Sequence, residues 1–121
     1  MSADAAAFGP PPFAVVVSPA APPREGVVVA VAGEVDLATA PAFELALREQ
    51  LAAGPVLLDL LGLSFMSSSG IRVLDAIVRD LGPMNWALRI EPALQPAVRQ
   101  VIALTGMTDA LPFDGPLESA S

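Results

Sequence analysis

The sequence contains no cysteine, no histidine and no tyrosine, and all six of its basic residues are arginines. Without cysteine there are no disulfides and no thiolate ligands, and without histidine there are no imidazole ligands and no His-dependent triads. A serine nucleophile would have only aspartate or glutamate as its general base. The composition therefore predicts a protein that is not an enzyme and holds no metal and no cofactor.

Positive charge is also scarce, because the six arginines face 13 acidic residues and the net charge is −7. The arginines are scattered along the chain, so no basic stripe is available for nucleic acid. No apolar stretch reaches the roughly 18 residues of a membrane span. The start, MSADAAAFGPPP, has no cationic region of the kind that opens a signal peptide. We expect a cytoplasmic protein with no nucleic-acid partner and no membrane insertion.

Apolar residues are plentiful: they make up 54% of the 121 residues, which is enough for one domain with its own core. Alanine, glycine and proline dominate the first twelve residues, and the last ten lack a clear period. The sequence predicts a domain at 13–111, with a flexible N-terminal tail at 1–12 and a flexible C-terminal tail at 112–121.

Strand and helix patterns alternate along the predicted domain. Short β-branched segments predict strands at 13–18 and 26–33, and apolar residues recur at helical spacing after Thr39, which is expected to cap that helix. Trp86 is expected to lie in the core or beneath a helix. This order predicts an α/β fold with a mixed sheet of about four to five strands and helices packed against it. The later predicted elements are a strand at 56–61, a helix at 71–81, a strand at 85–90 and a helix at 96–104.

Three serines and a glycine, Ser67 to Gly70, stand between the buried strand and the second long helix. Serine is a preferred N-cap, so the hydroxyls have a purely structural explanation as caps. Gly70 has two explanations that the sequence leaves open. Its missing side chain either lets a partner's backbone approach Ser68 or simply permits the turn between strand and helix.

Four segments of the chain together resemble the STAS domain family, and in particular its bacterial single-domain anti-sigma factor antagonists. They occur in the family's order and cover about residues 13 to 111. The strand-to-helix turn is similar to G-E-x-D-x-x-T-x-P, and the serine segment is similar to the family signature built around D-S-S-G. The segments are Gly33–Pro41 (GEVDLATAP), Val56–Leu63, Phe65–Leu74 (FMSSSGIRVL) and Glu91–Met107.

The resemblance implies a regulator of transcription that binds an anti-sigma factor of kinase-type fold and thereby frees a sigma factor. The partner silences such an antagonist by phosphorylating it. The family's acceptor is the first serine of D-S-S-G, which corresponds to Ser68, ahead of Ser67 and Ser69 as alternatives. Ser67 stands where the family often has aspartate, so one negative charge beside the acceptor is missing.

The resemblance also places the Gly33–Pro41 turn beside the serine segment on the partner-binding face. Asp36 has a structural explanation as a turn or cap residue and a functional one as a partner contact, and the net charge of −7 favours a basic partner surface. We expect a monomer or weak homodimer. The expected partner-binding residues are Glu34, Asp36, Thr39, Ser67, Ser68, Ser69, Gly70 and Arg72.

The departure at Ser67 keeps one alternative open. STAS domains also serve as subunits of stress-sensing complexes and of lipid or anion transport machines, where they bind partners without a phosphoserine switch. Capture of a kinase-fold partner, as opposed to a transporter ATPase, distinguishes the two functions.

Overall fold

The computed structural model describes residues 13–119, which form strands and helices in alternation. A 3₁₀ helix, Gly82–Ala87, precedes β4. The strands are β1 (Phe13–Pro19), β2 (Val27–Val35), β3 (Val56–Met66), β4 (Leu88–Ile90), β5 (Ala93–Leu94) and β6 (Glu118–Ser119). The helices are α1 (Ala40–Ala53), α2 (Ser68–Leu81) and α3 (Pro96–Leu104).

The main sheet has four strands in the order β1-β2-β3-β4. β1 runs antiparallel to β2, whereas β2, β3 and β4 are parallel to one another. A separate two-stranded sheet joins β5 to β6. The predicted mixed sheet with three helices packed against it is therefore confirmed.

A single hydrophobic cluster fills the space between the sheet and the helices. α1 contributes Phe43 and Leu47, which are fully buried because helical spacing puts them on the same face. The other side of the sheet stays open, and Val16 on β1 and Leu61 on β3 are exposed there. The other fully buried large side chains are Leu58, Leu60, Leu63, Met66, Leu74, Ile77, Leu88, Ile90, Leu94 and Ile102.

Two β-bulges interrupt the pairing of β2 with β3, one between Ala30 and Ala32 and one between Gly33 and Glu34. Each inserts one extra residue into β3. Asp59 stabilises the first bulge, because its carboxylate accepts a hydrogen bond from the amide of Leu61 at 3.0 Å. After each bulge the buried series of β3 shifts by one position. The buried residues of β3 are Val56, Leu58, Leu60, Leu63 and Met66.

The segment before β4 differs from its prediction. Residues 85–90 do not form one strand, because the 3₁₀ helix follows α2 directly and leaves only Leu88–Ile90 to pair with β3. Trp86 lies on that 3₁₀ helix and is 58% exposed, so its predicted place in the core is wrong. α2 begins at Ser68, three residues before the predicted start. α3 spans 96–104 as predicted, with Pro96 in its first turn.

The two predicted tails have different outcomes. The N-terminal segment 1–12 lies outside the described residues. Of the C-terminal segment 112–121, the described part returns to the domain: Phe113 bridges to Ile90, and Leu117 packs against the core. The domain boundary at 111 stays a prediction. No helix between Phe13 and Ser119 is long and apolar enough to cross a membrane.

Candidate functional site

The candidate site is built where two strand-to-helix junctions meet. β2 and β3 are parallel neighbours, so their carboxyl ends lie side by side, with Val35 opposite Met66. The amide of Ser67 donates a hydrogen bond to the carbonyl of Val35 at 2.8 Å, which ties the second junction to the first. The structure therefore brings together the two segments that the sequence singled out, the turn after β2 and the serines after β3.

At the junction between β3 and α2, one serine caps the helix and the next is left free. Ser67 is the N-cap, and its Oγ accepts a hydrogen bond from the amide of Ser69 at 3.2 Å. Ser68 is the first residue of α2, and it is exposed. Within residues 13–119 its hydroxyl makes no hydrogen bond. The capping explanation thus holds for Ser67, and the hydroxyl of Ser68 is available to another molecule.

Gly70 lies in the first turn of α2 and is buried. A Cβ at this position would come within 2.7 Å of Met66 Cγ and 2.9 Å of Val35 Cγ1. Its φ is not positive, so the glycine is not needed for an unusual backbone conformation. Both explanations offered from the sequence are therefore replaced by a third: the missing side chain lets α2 approach the ends of the two strands.

At the junction between β2 and α1, side chains close a four-residue turn. Asp36 Oδ1 accepts hydrogen bonds from the amides of Ala38 and Thr39, both at 3.0 Å. Thr39 Oγ1 accepts from the amide of Asp36 at 2.9 Å and donates to the carbonyl of Glu34 at 3.0 Å. Thr39 occupies the N-cap position of α1 but makes no capping hydrogen bond. Its predicted cap is wrong, whereas the turn explanation for Asp36 is confirmed.

These hydrogen bonds determine the acid–base character of the turn. The amide and then the hydroxyl of Thr39 stabilise the carboxylate of Asp36 and hold its pKa below the ordinary value of 3.8. A carboxylate with a lowered pKa is a weaker base. The geometry suits an acidic contact and does not suit a group that takes a proton from a serine.

Other side chains at this end of the sheet add charge and apolar surface. Glu34 is exposed, and Arg72 is exposed one helical turn after Ser68. Leu37, in the turn, is 79% exposed, and Phe65, opposite Glu34 at the end of β3, is 40% exposed. The last two were missed as site residues. The signals for them were an apolar residue inside an acidic turn and an aromatic residue between two buried ones.

The site is a surface and not a cleft. A groove of about 280 Å³ lies between α1 and α2 and is lined by Arg48, Leu51 and Asp80. Another, of about 370 Å³, lies on the open face of the sheet. Over the range 13–119 there is no group of three or more potential metal ligands.

Comparison with known proteins places this geometry in context. The sequence pattern of the STAS domain matches residues 18–120. An anti-sigma factor antagonist from Mycobacterium paratuberculosis is similar in structure, with a TM-score of 0.69, 31% identity and 84% of each chain covered. The anti-sigma factor antagonist SpoIIAA in its unphosphorylated form is similar in fold, with a TM-score of 0.62, 21% identity and 89% of each chain covered.

A third solved structure extends the likeness in fold alone. It is a protein of SpoIIAA-like fold from Shewanella loihica PV-4, with a TM-score of 0.52 and 14% identity, covering 88% of this chain and 84% of that one. Among curated protein sequences, none matches this chain.

Proposed function

The chain belongs to the STAS domain family, and from this membership we propose that it is an anti-sigma factor antagonist that acts in the cytoplasm. It binds an anti-sigma factor of kinase-type fold and so frees a sigma factor. Phosphorylation of Ser68 by that partner ends the binding. The observation that carries the proposal is the exposed Ser68 at the first position of α2, beside the acidic turn.

Ser68 is suited to accept a phosphate without damage to the fold. Its side chain is exposed, and the cap of α2 is supplied by Ser67. A phosphoserine adds about −1.5 to −2 charges, which the positive end of a helix dipole favours. Arg72, four residues later, lies on the same face of α2 and is within reach of the new anion. Modification therefore leaves α2 in place.

The same modification changes the surface that a partner meets. Glu34 already gives this surface negative charge, and the exposed side chains of Leu37 and Phe65 supply its apolar area. A partner shaped for these groups and for a small neutral hydroxyl must then accommodate a dianion. Burying such a charge without a counter-ion is unfavourable, so affinity falls while stability is unchanged.

Gly70 and Ser67 hold this surface in position. The close approach of α2 at Gly70 and the bond from Ser67 to Val35 fix the first turn of the helix against the turn after β2. Gly70 thus acts beneath the surface that a partner touches. The two junctions present a preformed docking surface, which lowers the ordering cost of association.

The test is phosphorylation by candidate anti-sigma kinases with ATP, read by mass spectrometry. We expect a single phosphate on Ser68, no incorporation in Ser68→Ala, and normal incorporation in the neighbouring control Ser69→Ala. In binding measurements Ser68→Ala keeps its affinity, and Ser68→Glu loses about tenfold or more. Phosphate that persists in Ser68→Ala, or equal binding by both Ser68 variants, contradicts the switch.

Ser67 in place of the family's usual aspartate favours one further function. As a subunit of a stress-sensing or transport assembly, the chain would use the same docking surface without phosphorylation. Affinity capture separates the two. Recovery of a transporter ATPase, with no phosphate added by any anti-sigma kinase, would support this function in place of the first.

A further inference from the structure

The two edges of the main sheet are treated differently. β4 is three residues long, and the following chain covers it: the amide of Ile90 donates to the carbonyl of Pro112, and the amide of Asp114 donates to the carbonyl of Ile90. β1 forms the other edge with seven residues. Within residues 13–119, no segment pairs with its outer side.

The register identifies which groups of β1 face outward. The amide of Ala20 bonds to the carbonyl of Gly26, in line with the pairing of β1 with β2. Because hydrogen-bonded positions alternate in antiparallel strands, the even-numbered residues of β1 bond to β2. The amides and carbonyls of Phe13, Val15 and Val17 therefore face the open edge.

β1 has few of the features that usually protect an edge strand. Natural edges carry charged side chains, bulges or prolines that block pairing. Residues 13–23 contain no charged residue, and the pairing with β2 has no bulge. Val16 is 63% exposed and Val17 is 43% exposed. Proline occurs only at the ends of the segment, at Pro11, Pro12 and Pro19.

We propose that two copies of the chain pair through β1, as antiparallel strands about a two-fold axis at Val15. Phe13 of each copy then lies opposite Val17 of the other. The three outward amides of each copy find carbonyls across the axis, which makes about six new hydrogen bonds and one continuous eight-stranded sheet. Pro19 falls opposite Pro11, and neither has an amide to donate, so pairing stops there.

The segment favours a second copy over a strand from another protein. Each copy carries a net charge of −7, and two such molecules repel least where no charge is present, which is along this edge. On the open face the pairing sets Ala14 beside the partner copy's Val16 and so covers apolar surface. The contact is smaller than the roughly 1,200 Å² of a standard interface, so the dissociation constant is on the order of 100 µM.

Such a dimer leaves both docking surfaces free. The two-fold axis makes β3 of one copy antiparallel to β3 of the other, so the Ser68 residues point to opposite ends of the extended sheet. The association therefore goes beyond the proposed switch and does not depend on it.

Sedimentation at about 0.5 mM chain tests the pairing. We expect dimers in the wild type, and a dissociation constant at least about twofold lower when added salt screens the repulsion. Val17→Pro removes an outward amide and no bond to β2, so it is expected to be monomeric, whereas Val17→Ala keeps the amide and stays dimeric. A monomeric wild type, or a Val17→Pro protein that still dimerises, overturns the proposal.

Hydrogen exchange on the wild-type protein gives a second measurement that needs no variant. The amides of Val15 and Val17 are expected to exchange quickly in dilute solution and more slowly as concentration rises, while the amide of Val16 stays protected throughout. Protection of Val15 and Val17 that does not change with concentration overturns the proposal, because the edge would then be covered within one chain.

Discussion

The two junctions at the docking surface start their helices in different ways. Between β2 and α1, Asp36 and Thr39 close a turn by bonding to each other and to nearby amides. Between β3 and α2 there is no turn, and Ser67 alone separates the strand from the helix. In the first junction the polar side chains are engaged, and in the second one hydroxyl remains free.

This difference separates support from signalling. A change at Asp36 or Thr39 breaks hydrogen bonds on which the turn depends. A change at Ser68 breaks none among the described residues, because Ser67 caps the helix and Gly70 permits its close approach. A covalent switch at Ser68 can therefore act on binding without acting on folding.

The largest expected effect is on the close approach of α2. Gly70→Ala forces a Cβ against Met66 and Val35, and overpacking of this kind lowers the free energy of unfolding by about 1–3 kcal/mol. Urea denaturation measures the loss. Gly54→Ala is the matched control, because a Cβ at Gly54 meets nothing within 4 Å. Equal stability of the two variants would contradict the tight packing at Gly70.

A smaller effect separates the two serines. Ser67→Ala removes the N-cap of α2 and lowers the free energy of unfolding by about 1 kcal/mol, whereas Ser67→Asp keeps a capping oxygen. Ser68→Ala stays within about 0.5 kcal/mol of the wild type. Thermal and urea unfolding of the three variants check this order. Were Ser68→Ala the less stable of the two alanine variants, the division between cap and free hydroxyl would be wrong.

The smallest effect concerns pH at the first junction. Folding lowers the pKa of Asp36, so its carboxylate contributes stability above the ordinary value of 3.8 and loses that contribution as pH falls through the lowered native pKa. Thr39→Val removes the hydroxyl and moves the native pKa back towards 3.8. Carboxyl titration followed by NMR measures both values, with Thr39→Ser as the control. An unshifted pKa in Thr39→Val would show that the hydroxyl has no part in it.

The fold could be predicted where local signals and packing agree. α3 begins at Pro96 and ends at Leu104 as its sequence indicates, because a proline in the first turn and a helical apolar period mark the same helix. The segment before β4 failed because an alternating pattern in NWALRI resembles a strand. The chain instead continues from α2 into a 3₁₀ helix, and Trp86 is left in solvent.

The site was predictable in its location and less so in its internal contacts. The strand order that brings the two junctions together followed from the resemblance, and Ser67 capped its helix as hydroxyls at such positions do. The functions of Thr39 and Gly70 depended on neighbours distant in sequence or in the opposite junction, namely Glu34 for the first and Val35 for the second. Such contacts leave no local pattern to read.

The two bulges in β3 set a limit on how this domain can vary in length. Because side chains alternate along a strand, deleting one residue between Leu60 and Met66 turns everything after it to the other face. Met66 would then face solvent, and the following serines would rotate with it. Insertions and deletions in natural relatives are therefore expected to accumulate in the connections between elements and to spare this segment, whose length determines where Ser68 is displayed.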